Sequence, residues 1–239
     1  FQNKIHFGRN VVNASWSSET ATWTLDVLNK SGETLQMSCN WLMMCSGYYN
    51  YEQGYTPEFK GRDDFKGQII HPQFWPEQLD YTGKRVVVIG SGATAVTLIP
   101  SMTDTAQHVV MLQRTPSYLV SVPQFIPVLR ILFKLMPKMT AYNISRSVMN
   151  FITQGIFKLS RKYPNLVRKL ILKGVKFQVG ADFDMKHFTP PYKPWDQRLC
   201  AVPDGELFKA ISSGKASVVT EHIDRFVEDG ILLKSGNVE

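Results

Sequence analysis

Three cysteines are all that this chain carries. Cys39, Cys45 and Cys200 form no CxxC pair and no ligand-spaced cluster with the five histidines. That excludes a zinc site of the usual spacing, so no metal is expected; it also excludes a dithiol–disulfide reductase and fits a reducing compartment. No run of eighteen apolar residues occurs, so no stretch reads as a membrane-spanning helix. No basic-plus-apolar leader stands at Phe1, and the chain reads as cytoplasmic. Acidic residues are missing from one long region: Phe125 to Lys176 holds eleven Lys or Arg and no Asp or Glu. Apolar residues, by contrast, make up 44% of the chain, enough to build a real core and to exclude a disordered polypeptide. The length of 239 residues suits one or two domains.

The sharpest local signal begins at Arg85. Val86 to Ile89 is a short unbroken apolar run, as expected of a parallel strand buried on both faces. It leads into Gly90-Ser91-Gly92-Ala93-Thr94-Ala95, and Val96 to Met102 then reads as a helix. In such a strand–turn–helix the first glycine makes the tight turn and the second lets a pyrophosphate approach the backbone. The small third residue lets helix and strand pack closely. The helix N-terminus offers free N–H groups and the positive end of its dipole to the phosphates. The next buried run, Val109 to Leu112, ends in Gln113-Arg114-Thr115. An NAD site wants a carboxylate there for the ribose hydroxyl; an arginine instead suits the 2′-phosphate of NADP. A plain surface arginine at a strand end is the alternative.

Elsewhere the pattern is coarser. Up to about Gly47 it is β: Ile5–Phe7, Val11–Val12, Trp23–Leu28 and Thr34–Ser38 alternate or nearly so, with a turn at Lys30-Ser-Gly32-Glu. Trp41 to Cys45, apolar throughout, reads as a buried strand ending in Ser46-Gly47. Residues 50–84, rich in Gly, Pro, Tyr and charge, read as a linker, within which His71 is either an acid–base group or a hydrogen-bonding brace. From 125 to 176 apolar residues recur at helical spacing, and Pro137 and Pro164 divide the run into two or three helices. The charge there suits a solvated helical insertion first. A surface that touches anionic lipid, or a field that gathers an anionic cofactor, stands behind it. No nucleic-acid motif accompanies the charge, so nucleic acid is not an expected partner. Pro190, Pro191 and Pro194 then pin a Trp195-Asp196-Gln197-Arg198 loop, in which Arg198 either presents a fixed cation or pairs with Asp196. A helix at Glu206–Ser213, a strand at Ala216–Val219 and a hairpin at Ile223–Val227 and Ile231–Lys234 close the chain.

The stretch Phe65-x-Gly67-x-x-x-His71-x-x-x-Trp75-Pro76 resembles the fingerprint of class B flavoprotein monooxygenases of the Baeyer–Villiger type. Gly90-x-Gly92-x-x-Ala95 resembles their NADPH turn. Cys45–Asn50, Leu112–Pro116 and Pro194–Cys200 are similar to the ethionamide-activating branch of that family. The resemblance covers nearly the whole chain. It implies an enzyme that uses FAD, NADPH and O2 to insert oxygen beside a ketone carbonyl or onto a heteroatom such as sulfur. It implies that Gly90, Ser91, Gly92, Ala93, Thr94 and Ala95 hold the NADPH pyrophosphate, and that Arg114 and Thr115 hold the 2′-phosphate. It implies that Arg198 is the catalytic arginine that steadies the anionic oxygen species at the flavin. Phe65, Gly67, His71, Trp75 and Pro76 belong, on this resemblance, to the hinge between the two dinucleotide domains. Gln197 departs from the pattern, since many relatives carry a lysine there; Arg114 is left with more of the phosphate.

A second departure is larger: the family's N-terminal GxGxxG for FAD and its later FAD contact have no counterpart here. The expectation is therefore an internal piece of a longer enzyme, inactive alone. Its fold class is α/β: part of an FAD domain at 1–59, a fingerprint-bearing linker at 60–84, and a Rossmann-like, three-layer NADPH domain with a parallel sheet at 85–239. A helical insertion is expected at about 125–190. The rival functions are an FAD- and NADPH-dependent reductase without oxygen chemistry, and a basic membrane- or anion-binding module resting on 125–176. The oligomeric state is open.

Overall fold

The computed structural model describes residues 2–124, 127–197 and 199–239, with only the backbone of 127–129. The chain divides into two units, Phe1–Tyr55 and Thr56–Glu239.

The first unit is an antiparallel meander of β1 (Asn10–Ser17), β2 (Thr22–Leu28) and β3 (Thr34–Cys39), in that order. Trp16 faces Trp23 across the first pair, ring centroids 5.5 Å apart, a cross-strand contact that helps fix the register. The expected turn forms because Asn29 Oδ1 accepts from the N–H groups of Ser31 and Glu33 while Gly32 takes φ +83°. One expectation fails at each end of this unit. Ile5–Phe7 follows a 3-10 turn at Gln2–Lys4 and joins no strand. Trp41–Cys45 is irregular rather than a buried strand, and Trp41 is 78% exposed. An apolar run becomes a strand only when neighbours pair its N–H and C=O groups. The chain leaves the sheet at Cys39, and no described strand lies against 41–45.

The second unit is built on a parallel sheet, β4 (Arg85–Ile89), β5 (His108–Gln113) and β8 (Ala216–Thr220), in the order β4-β5-β8. Helix α1 (Ala93–Met102) connects β4 to β5. The period of two sorts the side chains into two cores. Val86, Val88, Val109, Met111, Ala216 and Val218 meet α1, the later helix α5 (Glu206–Ser212) and the end of α4 (Pro164–Val179). Val87, Leu112 and Val219 face the other way, onto the hairpin of β9 (Ile223–Val227) and β10 (Gly230–Leu233) with Phe59 and Phe65. Helices, sheet and hairpin make three layers, and the fold is α/β.

Two strands had no counterpart in the sequence reading. β6 (Tyr118–Val122) and β7 (Leu199–Pro203) form a separate parallel pair. The helical insertion α2 (Pro127–Leu135), α3 (Lys138–Lys162) and α4 runs between them. Pro137 and Pro164 separate the three helices as expected, because each lacks an N–H to continue the ladder. No helix among the described residues is long and apolar enough to cross a membrane.

Candidate functional site

β4 and β5 run parallel with Ile89 opposite Leu112, so both end at one edge of the sheet. Gly90 continues the pairing by donating its N–H to Leu112 O at 2.8 Å, then turns at φ +129°, a conformation that L side chains rarely adopt. Gly92 caps α1 from ordinary extended backbone, φ −80°. A Cβ built on Gly92 would meet no atom within 4 Å. Neither strain nor packing within the described residues explains a glycine there.

The helix starts at Ala93, three residues before the expected start. Its first helical bond runs from Val96 N–H to Gly92 O at 3.0 Å, so the N–H groups of Ala93, Thr94 and Ala95 have no helical acceptor. Ala95 is buried under the helix, which explains a small third residue; Ala93 and Thr94 are exposed. Ser91 Oγ lies 3.2 Å from Ser117 Oγ, tying the glycine turn to the segment that follows β5. Arg114 and Thr115 stand exposed just beyond the end of β5, and among the described residues no carboxylate forms an ion pair with Arg114. The sheet edge thus brings together the glycine turn, unbonded N–H groups and an unneutralised guanidinium.

Gln113, directly before Arg114, is 2% exposed. Its Nε2 donates to His187 O at 2.7 Å and to Thr220 Oγ1 at 2.9 Å. Thr220 Oγ1 also lies 2.7 Å from His187 Nδ1. The network closes when Thr220 donates to Nδ1, which keeps the imidazole neutral. Burial pushes the His187 pKa down, and Lys186 adds to the shift against Asp184. Sequence reading missed this trio; its one signal is a polar residue at the end of a fully buried strand.

The fingerprint is anchored on the second unit. Lys66 N–H donates to Glu228 O at 2.9 Å, and the Phe65 ring meets Phe226 edge-on at 5.8 Å. A Cβ on Gly67 would sit 2.4 Å from Phe65 Cζ, so any other residue there would have to displace the ring. His71 accepts from Gln73 N–H through Nδ1 at 3.2 Å and so caps the 3-10 turn Pro72–Phe74. Trp75 packs edge-on against Tyr81, 6.3 Å away, and Pro76 O accepts from Leu79 N–H. These residues do not join the Gly90–Arg114 cluster.

Arg198 lies outside the described residues. The loop before it is held from several sides. Asp196 is paired with Arg161 of α3 at 2.6 Å, and the Trp195 ring meets Phe157 at 5.5 Å. Tyr192 O accepts from Tyr118 Oη at 2.6 Å and from Arg168 Nη1 at 3.2 Å. Trp195 itself takes φ +69°, a strained conformation for a bulky residue.

Residues 2–169 match the family model described as flavin-binding monooxygenase-like. The chain belongs to that family. It is 51% identical over 236 residues to a probable FAD-binding monooxygenase, AlmA, of Acinetobacter sp, spanning 98% of this chain and 48% of that protein. It is 46% identical over 234 residues to an FAD-containing monooxygenase, EthA, of Mycobacterium tuberculosis, spanning 97% of this chain and 48% of that one. The fold resembles the structure of oxidized steroid monooxygenase bound to NADP, with a TM-score of 0.72 at 19% identity, over 100% of this chain and 51% of that one. The chain spans about half the length of the curated relatives that it matches.

Proposed function

We propose that the second unit is the NADPH-binding part of a flavin-dependent monooxygenase that uses FAD, NADPH and O2 on a small ketone or sulfide. The observation that carries this reading is Gly92: open space above a glycine at a helix N-terminus leaves room for a pyrophosphate against the backbone. Gly90 supplies the turn. Ser91, Ala93, Thr94 and Ala95 line the approach or donate N–H groups, and Arg114 and Thr115 receive the 2′-phosphate from the neighbouring strand end. Bound there, NADPH supplies a hydride. The amide N–H groups of the buried Gln113 are taken by His187 O and Thr220 Oγ1, leaving recognition to Arg114.

FAD has no comparable cradle among the described residues, since the first unit is a meander with no glycine turn leading into a helix. FAD is accordingly assigned to the rest of a longer polypeptide, which this chain does not supply by itself. The residues Phe65, Gly67, His71, Trp75 and Pro76 are read as a hinge segment, as the family resemblance implies.

Titration of the full-length protein with NADPH and NADH tests the assignment. Arg114→Ala is expected to weaken NADPH binding by about 1.5–3 kcal/mol, the scale of a bond to a charged group, and to leave NADH nearly unaffected. Gly92→Val is expected to lose NADPH with little loss of stability, because a Cβ there meets no atom within 4 Å. Equal losses for both cofactors, or a normal NADPH affinity in Gly92→Val, would overturn it.

Arg198 is assigned as the cation that holds negative charge developing on oxygen; the residues before it, Tyr192, Trp195 and Asp196, are braced by Tyr118, Phe157 and Arg161. Arginine stays protonated and offers several donors in one plane. Loss of one preorganised donor costs about 10²–10³ in rate. In stopped flow, Arg198→Ala should reduce flavin with NADPH at the normal rate and fail to oxygenate ketone. Simultaneous loss of both half-reactions would make Arg198 a structural brace. Oxygen uptake that depends on both NADPH and ketone or sulfide separates this reading from a reductase without oxygen chemistry.

A further inference from the structure

An ordinary surface helix has two sides, an apolar one against the core and a polar one in water. Helix α4 has three. Val167, Val175 and Val179 are buried, and Arg168 on that side donates to Tyr192 O. A second apolar stripe, Leu166, Leu170 and Phe177, stands at i, i+4 and i+11 on one side of the helix and is exposed among the described residues, at 52%, 58% and 90%. Lys169, Lys173 and Lys176 border that stripe along one flank by the same helical periodicity. The neighbouring α3 repeats the feature, with Ile144, Val148 and Phe151 exposed at helical spacing.

We propose that α4 seats the protein on an anionic membrane surface, with Leu166, Leu170 and Phe177 entering the headgroup–acyl boundary and the lysines meeting lipid phosphates. The occupant follows from charge and apolarity together. The whole region from Phe125 to Lys176 is cationic without one acidic residue, so a second copy of this face would bring like charge against like. Nucleic acid would satisfy the lysines and leave the leucines and Phe177 without a partner. A lipid interface takes both, because lysine stems lie along apolar surface while their heads reach the phosphates. The contact is peripheral, consistent with the absence of any spanning helix among the described residues. It is independent of the oxygenase assignment, since its test needs no NADPH and no substrate.

The test is co-sedimentation of the full-length protein with vesicles of phosphatidylcholine, with and without phosphatidylglycerol. Binding is expected only to the anionic vesicles. It should be lost between about 0.1 M and about 1 M salt, as the screening length falls from roughly 10 Å to roughly 3 Å. Replacing Lys169, Lys173 and Lys176 together by Gln should lower partitioning about a hundredfold, at roughly a factor of five per lysine. Phe177→Ala should lower it by about tenfold, the weight of one aromatic side chain leaving an apolar phase. Melting temperatures should not move, because the replaced side chains are exposed. A maleimide on Phe177→Cys should react in free protein and be protected by anionic vesicles. A cysteine already protected without vesicles shows that the rest of the polypeptide covers the stripe, and overturns the proposal. So does equal sedimentation of wild type and both variants. RNA that displaces the vesicles while binding Phe177→Ala as well as wild type also overturns it.

Discussion

The parallel sheet and the helical insertion are both rich in apolar residues and use them to opposite ends. In β5 each residue from Val109 to Gln113 is buried, with Val109 and Met111 in one core and Leu112 in the other, as parity requires. In α3, 25 residues long, Ala141 and Ser160 are the buried ones, and Ile144, Val148, Phe151 and Leu159 face outward. A strand between two layers has no free face, so its residues are committed to the fold and its ends are held to a fixed place. That is what a cofactor edge needs: Gly90 and Arg114 sit at ends that the sheet does not allow to drift. A helix can form on its own hydrogen bonds and a single buried stripe, which leaves the rest of its surface for other partners. The two regions therefore separate position from contact.

The most direct way to break this comparison is to remove an equivalent side chain from each region. Phe208 of α5 is fully buried in the sheet's helical core, and Phe208→Ala is expected to cost about 3–5 kcal/mol in urea denaturation. Phe177→Ala removes the same atoms from a 90% exposed position and should stay within about 0.5 kcal/mol of wild type. A cost above about 2 kcal/mol for Phe177→Ala would mean that the stripe is packed in solution, and the contrast would disappear.

What the sequence made legible follows the same division. Val86–Ile89, the glycine turn and Val109–Leu112 are local signals, an apolar run next to a conformational requirement, and each was placed to within a few residues; β4 is nevertheless half-buried rather than buried on both faces, with Ile89 46% exposed, because it stands at the edge of the order β4-β5-β8. The place of Arg114, just past a strand end, was legible because the apolar run before it is local. The helices that Pro137 and Pro164 separate were legible from periodicity, which reports which residues share a stripe and not whether anything covers it. Trp41–Cys45 misled for that reason: the run is apolar, but pairing is not a property of the run. The Gln113 network was hidden because its partners lie 74 and 107 residues away. Asp196 likewise pairs with Arg161, 35 residues upstream. The β6–β7 pair is closed across the whole insertion, and no local pattern announces it.

The seam between the two regions gives the subtlest prediction. His187 stands on the 3-10 turn Met185–Phe188 that brings the chain back from the insertion, and its bond to Thr220 ties that turn to the sheet. Burial holds its pKa below the usual 6.5, with Lys186 acting in the same direction. The sign follows. Above about pH 6.5 the ring is neutral in the folded and the unfolded chain, and stability does not depend on it. As pH falls below that value the unfolded chain takes up a proton that the folded chain resists, so stability declines until the lower folded value is reached. The slope stays below the one-proton limit of about 1.4 kcal/mol per pH unit, and the partial exposure of the ring reduces it further. His187→Gln removes the titration while keeping a group able to bond Thr220. Its stability should lie close to wild type at pH 7.5 and should lose less on going to pH 5.5. The measurement is urea denaturation at both pH values. Parallel losses in the two proteins would show that His187 is titrating as freely as it does in water, and that the seam is open rather than packed.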